Sequence, residues 1–140
     1  MALNSQTTAN LLAYPDGEIL VGLTHATVTV SNPADLSRNW QGRFLVDTGA
    51  IDSMVPAKHL RSIGIIARGS RTYQLADGTD VEYEVGVGDF EFLDAIVGAT
   101  VIFGNDDSEP ILGVTALESA GIVVEPLTQE LKRLRALPLK

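Results

Sequence analysis

The chain has no cysteine in 140 residues. Disulfides and thiolate metal sites are thereby excluded, and the cytoplasm is the expected location. No run of about 18 apolar residues occurs, so no membrane span is expected. The opening Met1-Ala2-Leu3-Asn4-Ser5-Gln6 has neither the basic start nor the apolar core of a signal peptide. Positive charge is scarce: ten Lys and Arg stand against eighteen Asp and Glu, a formal net charge of −8. That balance argues against nucleic acid and anionic membranes as partners. A Gly-x-Ser-x-Gly elbow is also missing, which removes the serine-hydrolase reading; Ser53 near His59 is a coincidence of spacing at a helix start. There is no internal repeat and no low-complexity tract. What remains is a 45% hydrophobic chain of mean hydropathy +0.16, long enough for one domain with a real core and too short for two.

Apolar periodicity reads mainly as β-structure. From Leu23 to Val30, Ala26, Val28 and Val30 alternate with His25, Thr27 and Thr29, the pattern of a half-buried strand. His25 falls on the polar face, as a surface histidine. Ser31 to Asp35 breaks the strand, and Trp40 to Val46 forms the next. Ser53-Met54-Val55 is extended. Pro56 then suits the first turn of a helix over Ala57 to Ile63, with Gly64 as its cap and His59 facing solvent. Arg71–Leu75 and Val81–Val87 read as a hairpin joined at Ala76-Asp77-Gly78-Thr79, where Asp-Gly suits a turn with positive φ at both central residues. Phe90–Phe92 and Ala95–Phe103 are further strands. Asn105-Asp106-Asp107-Ser108-Glu109 is a polar loop without the Gly and terminal Glu spacing of an EF-hand, so no metal is expected. Ile111 to Val114 is a short buried strand. Thr115 and Glu118 match a capping box for a helix through Ala120, closed by Gly121. Ile122–Val124 is a last core strand ended by Pro126. The expected architecture is mainly β, a small closed sheet assembly with two short helices. Charge is uneven, with Lys132, Arg133, Arg135 and Lys140 in the tail and acidic stretches at 77–91 and 106–109. Solvated charge explains this most simply, and a contact between tail and body is the alternative.

The chemistry centres on Phe44-Leu45-Val46-Asp47-Thr48-Gly49-Ala50. The apolar run reads as a buried strand, and Gly49 permits a backbone turn that a side chain would block. Asp47 sits where that strand leaves the core, and a carboxylate held there is costly unless it is paired or hydrogen-bonded. A bare Asp-Thr-Gly is more often an Asx-type turn at a strand end. Here the weight shifts to catalysis, because Ala50 and Ser53 follow and Ile111-Leu112-Gly113 lies about sixty residues downstream.

Together these residues resemble the retropepsin-like aspartic proteases over roughly residues 22–126, with a pattern nearest the bacterial single-lobe members. The resemblance implies the acid-protease fold, a small closed β-barrel-like domain, with 1–21 as an N-terminal extension or edge strand and 127–140 as a tail that can supply a dimer strand. It implies that Asp47 is the catalytic carboxylate and that Thr48 hydrogen-bonds across a dimer. The Gly49 N–H would point at the carboxylate, and Ala50 would leave room for substrate backbone. Ser53 and Leu112 belong to the supporting motifs, and Gly113 would allow close approach beside the motif loop. A flap closing over bound peptide would span Tyr73 to Tyr83, with Ala76, Asp77 and Gly78 at its tip.

Two carboxylates a few ångströms apart share one proton, so that one accepts a proton from water while the other donates. The chain holds a single Asp-Thr-Gly, since Asp77-Gly78-Thr79 has the wrong order. A homodimer with Asp47 facing its own copy is therefore expected, acting on a peptide or protein substrate and needing no cofactor or metal. Viral members carry an Asp after the motif Ala and an Arg after the downstream Gly. Here those positions are Ile51 and Val114, so an apolar contact would replace that ion pair. Leu134, Leu137 and Leu139 are candidates for an intersubunit strand. The competing reading is a non-catalytic peptide-binding or assembly module that keeps the fold.

Overall fold

The computed structural model describes residues 24–139; the N-terminal extension expected at 1–21, and Leu23, lie outside them. β1 (His25–Asn32) buries Ala26, Val28 and Val30 on one face, the face that the alternation assigns to the core. A turn at Pro33-Ala34 leads into β2 (Asp35–Val46), which pairs antiparallel with β1. β2 starts five residues before the expected Trp40. Its first five residues are all exposed, so no apolar face betrays them as strand.

β3 (Ser53–Pro56) runs into α1 (Ala57–Ser62). Pro56 is the last residue of the strand and the N-cap, with ψ at 131°, rather than a member of the first turn. The Lys58 N–H of that turn donates instead to the Asp106 carboxylate at 3.0 Å. The polar 105–109 loop thus supplies the helix with its missing acceptor. His59 does not face open solvent: its ring is half-buried and stacks on Trp40, centroids 4.2 Å apart. His25 departs from its expected place too. Its side chain is only 17% exposed, and Nε2 meets the Glu109 carboxylate at 3.0 Å.

β4 (Gly69–Gln74) and β5 (Asp80–Phe92) form the expected hairpin. Phe90–Phe92 is not a separate strand. β5 continues unbroken through Gly86-Val87-Gly88, and its even-numbered face passes from solvent at Glu82 and Glu84 into the core at Gly86, Gly88, Phe90 and Phe92. β6 (Ala95–Gly104) returns antiparallel along it from Ala95 opposite Phe92 to Ile102 opposite Val85.

β7 (Ile111–Leu112) is followed by α2 (Val114–Ala120), so Val114 belongs to the helix. The capping box does not form. Gly113 is the N-cap, and the Thr115 hydroxyl donates to the Ile51 carbonyl at 2.9 Å. Gly121 ends the helix with φ at 71°. β8 (Ile122–Val124) pairs antiparallel with β9 (Leu131–Arg133) in a small second sheet.

The seven-stranded main sheet runs β1-β2-β7-β3-β6-β5-β4, and an extra pairing of β1 with β5 bends the row round on itself. Phe44, Leu60, Phe90, Leu112, Leu117 and Ile122 fill the enclosed core, none more than 2% exposed.

Candidate active site

The loop 47–52 leaves β2 and is strapped from one side by the chain from Pro110 to Thr115. β2 and β7 are parallel, with Leu45 beside Ile111 and Val46 beside Leu112. Leu45 N–H donates to Pro110 O, and Asp47 N–H to Leu112 O, both at 3.0 Å. Val114 N–H donates back to Ala50 O at 2.8 Å, and Thr115 N–H to Ile51 O at 3.1 Å. Three backbone groups of the loop, the Asp47 N–H and the Ala50 and Ile51 carbonyls, are thus paired by its neighbour although the loop has no ladder of its own.

Gly113 and Ser53 complete the strap. The buried Ser53 hydroxyl accepts the Gly113 N–H at 2.9 Å. A side chain on Gly113 would place Cβ 2.6 Å from the Asp52 carbonyl carbon and 2.7 Å from its oxygen. Both atoms are backbone, so only glycine fits at this approach.

Asp47 is half-buried at the mouth of this arrangement. Its Oδ1 accepts the Gly49 N–H at 2.9 Å; among the described residues this is the one hydrogen bond to its carboxylate. Its carbonyl accepts the Ala50 N–H at 3.1 Å. Thr48 and Gly49 are exposed and Ala50 is half-buried. A cleft of about 360 Å³ opens against the site, lined by Val46, Asp47, Thr48, Val124, Pro126 and Gln129. The structure thus gathers Asp47, Thr48, Gly49, Ala50, Ser53, Leu112 and Gly113 in one place. Ala76, Asp77 and Gly78 lie apart from them, fully exposed at the tip of the β4–β5 hairpin. In that turn only Gly78 has positive φ, 88°, and not both central residues. Leu75 O accepts the Gly78 N–H, while the Asp77 carboxylate accepts the Thr79 N–H at 2.9 Å. That bond and a second from Thr79 hold the Asp77 carboxyl below the usual range.

Two features had no sequence signal of comparable strength. The first is the 125–130 segment as a wall of the cleft. Gln129 is held at φ 60°, its carbonyl accepting the Thr24 hydroxyl at 2.8 Å and its amide donating to Pro126 O at 3.1 Å. The second is Asp52, only 5% exposed. Its Oδ2 accepts from Arg71 Nη1 at 2.9 Å and from the Tyr73 hydroxyl at 2.7 Å. Burial first, then the bond to Asp52, pushes the Tyr73 hydroxyl up to about 12. The neighbouring Ile51 is 60% exposed.

Among solved structures, the foamy viral protease-reverse transcriptase in complex with an RNA/DNA hybrid matches over 70% of this chain, with a TM-score of 0.52 at 18% identity. The fold is that of the retropepsins. The matched part is only 12% of that viral chain. Simian foamy virus (mac) protease aligns over 68% of this chain and 92% of its own, with a TM-score of 0.49 at 14% identity. EIAV protease, solved with an inhibitor, aligns over 82% and 95%, with a TM-score of 0.48 at 21% identity. No protein-family model matches the sequence, and no curated protein does.

Within this retropepsin fold the tail turns back on its own chain. Leu134 N–H donates to Gly121 O at 2.7 Å, and Leu137 packs against Gly121. The Arg133 guanidinium reaches the Leu93 carbonyl. Leu139 is 99% exposed. Among the described residues, no three His, Cys, Asp or Glu side chains gather as a metal ion would require, and no helix is long and apolar enough to cross a membrane.

Proposed function

We propose that the protein is an aspartic endopeptidase of the single-lobe type, working in the cytoplasm as a homodimer on peptide or protein substrates. The observation that carries this reading is Asp47 itself. It stands half-buried on a strapped loop, one oxygen fixed by the Gly49 N–H, with an open cleft before it. A carboxylate that is oriented yet, among the described residues, not paired with a cation is suited to proton transfer.

One such carboxylate is insufficient for peptide hydrolysis, and the chain has one Asp-Thr-Gly. Two copies facing each other would share a proton: one Asp takes a proton from the attacking water while the other protonates the carbonyl oxygen. The apparent pKa values then belong to the pair. Exposed Thr48 and Ile51, beside Asp47, are the residues such a partner would cover, and Thr48 would bond across the two-fold axis. With Ile51 and Val114 in place of the viral Asp and Arg, the interface is apolar. It should therefore hold at high ionic strength, where exposed ion pairs are screened. The β4–β5 hairpin, with Ala76, Asp77 and Gly78 at its tip, serves as the flap that excludes water over bound peptide.

Sedimentation across a concentration series, run beside cleavage of a peptide library, tests this. Cleavage should rise with the dimer fraction and persist in high salt. Cleavage by a chain that is monomeric under the assay conditions would overturn the shared dyad. A stable dimer that binds peptides without cutting them would identify a peptide-binding module instead.

A further inference from the structure

The β4–β5 hairpin leaves the body of the protein early. β5 pairs with β6 only from Val85 onward, whereas Asp80 to Glu84 pair with β4 alone. This outer part is a two-stranded ribbon with mostly exposed residues, and such ribbons are marginally stable by themselves. Its position therefore depends on what ties it to the rest of the chain.

Among the described residues, two side-chain ties are present, and they differ in kind. Arg61 meets Glu84 at 3.4 Å with both side chains more than half exposed, a pair that water and salt weaken. The other tie is buried at one end. Arg71 and Tyr73 stand two residues apart on one face of β4 and donate to the same oxygen of Asp52, whose side chain is 4% exposed. Asp52 belongs to the loop that carries Asp47. Its backbone is pinned by the close approach of Gly113, so it makes a fixed anchor. The Tyr73 ring also lies against Tyr83 on the returning strand, centroids 6.3 Å apart, which couples both strands of the ribbon to that anchor.

We propose that Asp52 is a positioning residue: through Tyr73 and Arg71 it latches the hairpin to the loop bearing Asp47 and fixes the hairpin's position beside that loop. The proposal takes the hairpin as the cover of that cleft and so rests on the endopeptidase reading. Without the latch the hairpin spends most of its time displaced, and bound peptide must pull it back. Apparent affinity then falls by the fraction still in place, while the saturated rate is retained. Losing a hydrogen bond to a charged acceptor corresponds to roughly a tenfold change in that fraction.

The test uses the full chain and its Tyr73→Phe and Asp52→Asn variants, with Glu84→Gln as the control for the exposed tie. Amide hydrogen exchange should quicken about tenfold at residues 74–80 in the first two variants and stay within about twofold in the control. Protection of β1 and β2 should change less than that of 74–80 in every variant. With a cleaved peptide, KM should rise about tenfold while kcat stays within about threefold. Unchanged exchange at 74–80 in both variants overturns the latch, as does exchange quickened equally over every strand, which would mark Asp52 as merely structural. If the parent chain cleaves no peptide, the endopeptidase reading falls, and the exchange data still decide whether the latch exists.

Discussion

Asp47 and Asp52 stand five residues apart on one loop, in opposite surroundings. Asp52 is buried, and a cation and a phenol occupy one of its oxygens. Asp47 is half-buried, takes one backbone N–H, and faces a cleft. The two environments separate two uses of the same side chain. A carboxylate whose hydrogen bonds are filled by its own protein organises structure, and one left partly unfilled at a fixed position is available to a substrate.

The largest expected effect exchanges those uses. Asp47→Asn should lower peptide cleavage by about a thousandfold or more, since general acid–base catalysis contributes on that scale, while leaving the melting temperature where it was. Asp52→Asn should lower the melting temperature. Parallel cleavage assays and thermal unfolding of the two variants would break the comparison if Asp47→Asn unfolds the protein or leaves cleavage intact.

The next effect addresses what holds both residues. In Gly113→Ala the new methyl meets the Asp52 backbone at 2.6 Å. The loop must shift, at a cost of about 2–3 kcal/mol, readable as a lower urea midpoint. A midpoint equal to that of the parent would mean that the loop is not clamped there.

The smallest effect sharpens the Asp52 side alone. The Tyr73 hydroxyl, raised to about 12, holds its proton more tightly folded than unfolded. Its contribution is fully present below pH 10 and is lost as the pH rises through 12. Unfolding free energy should therefore fall across that window. Tyr73→Phe should remove this component of the slope; an identical slope in the variant would place the titration elsewhere.

The readable part of the fold was the part with a solvent face and a core face. β1 alternates cleanly, and the apolar run into Asp47 announces a buried strand. Exposed Asp35–Asn39 has no such contrast, and the glycines of β5 conceal a continuous strand in which backbone itself packs inward. The Thr115–Glu118 spacing suits a capping box, yet Ile51 O takes the hydroxyl. A local pattern yielded to a partner sixty-four residues away. Of the site, Gly49 marked a turn at Asp47, and the resemblance to the retropepsins pointed to Gly113 beside it. Asp52 was not. Its meaning lies in Arg71 and Tyr73, on a strand that periodicity cannot orient toward it. Two donors at alternate positions of a strand were the only signal, and surface strands show the same pattern.

The parallel pairing of β2 with β7 also governs when the site can exist. Leu45 and Val46 need Ile111 and Leu112 as neighbours, and Ser53 waits for a backbone group sixty residues further on. Contacts so distant in sequence form slowly, and a chain is synthesised from its N-terminus. Until residue 115 has left the ribosome, the loop bearing Asp47 lacks the neighbours that strap it.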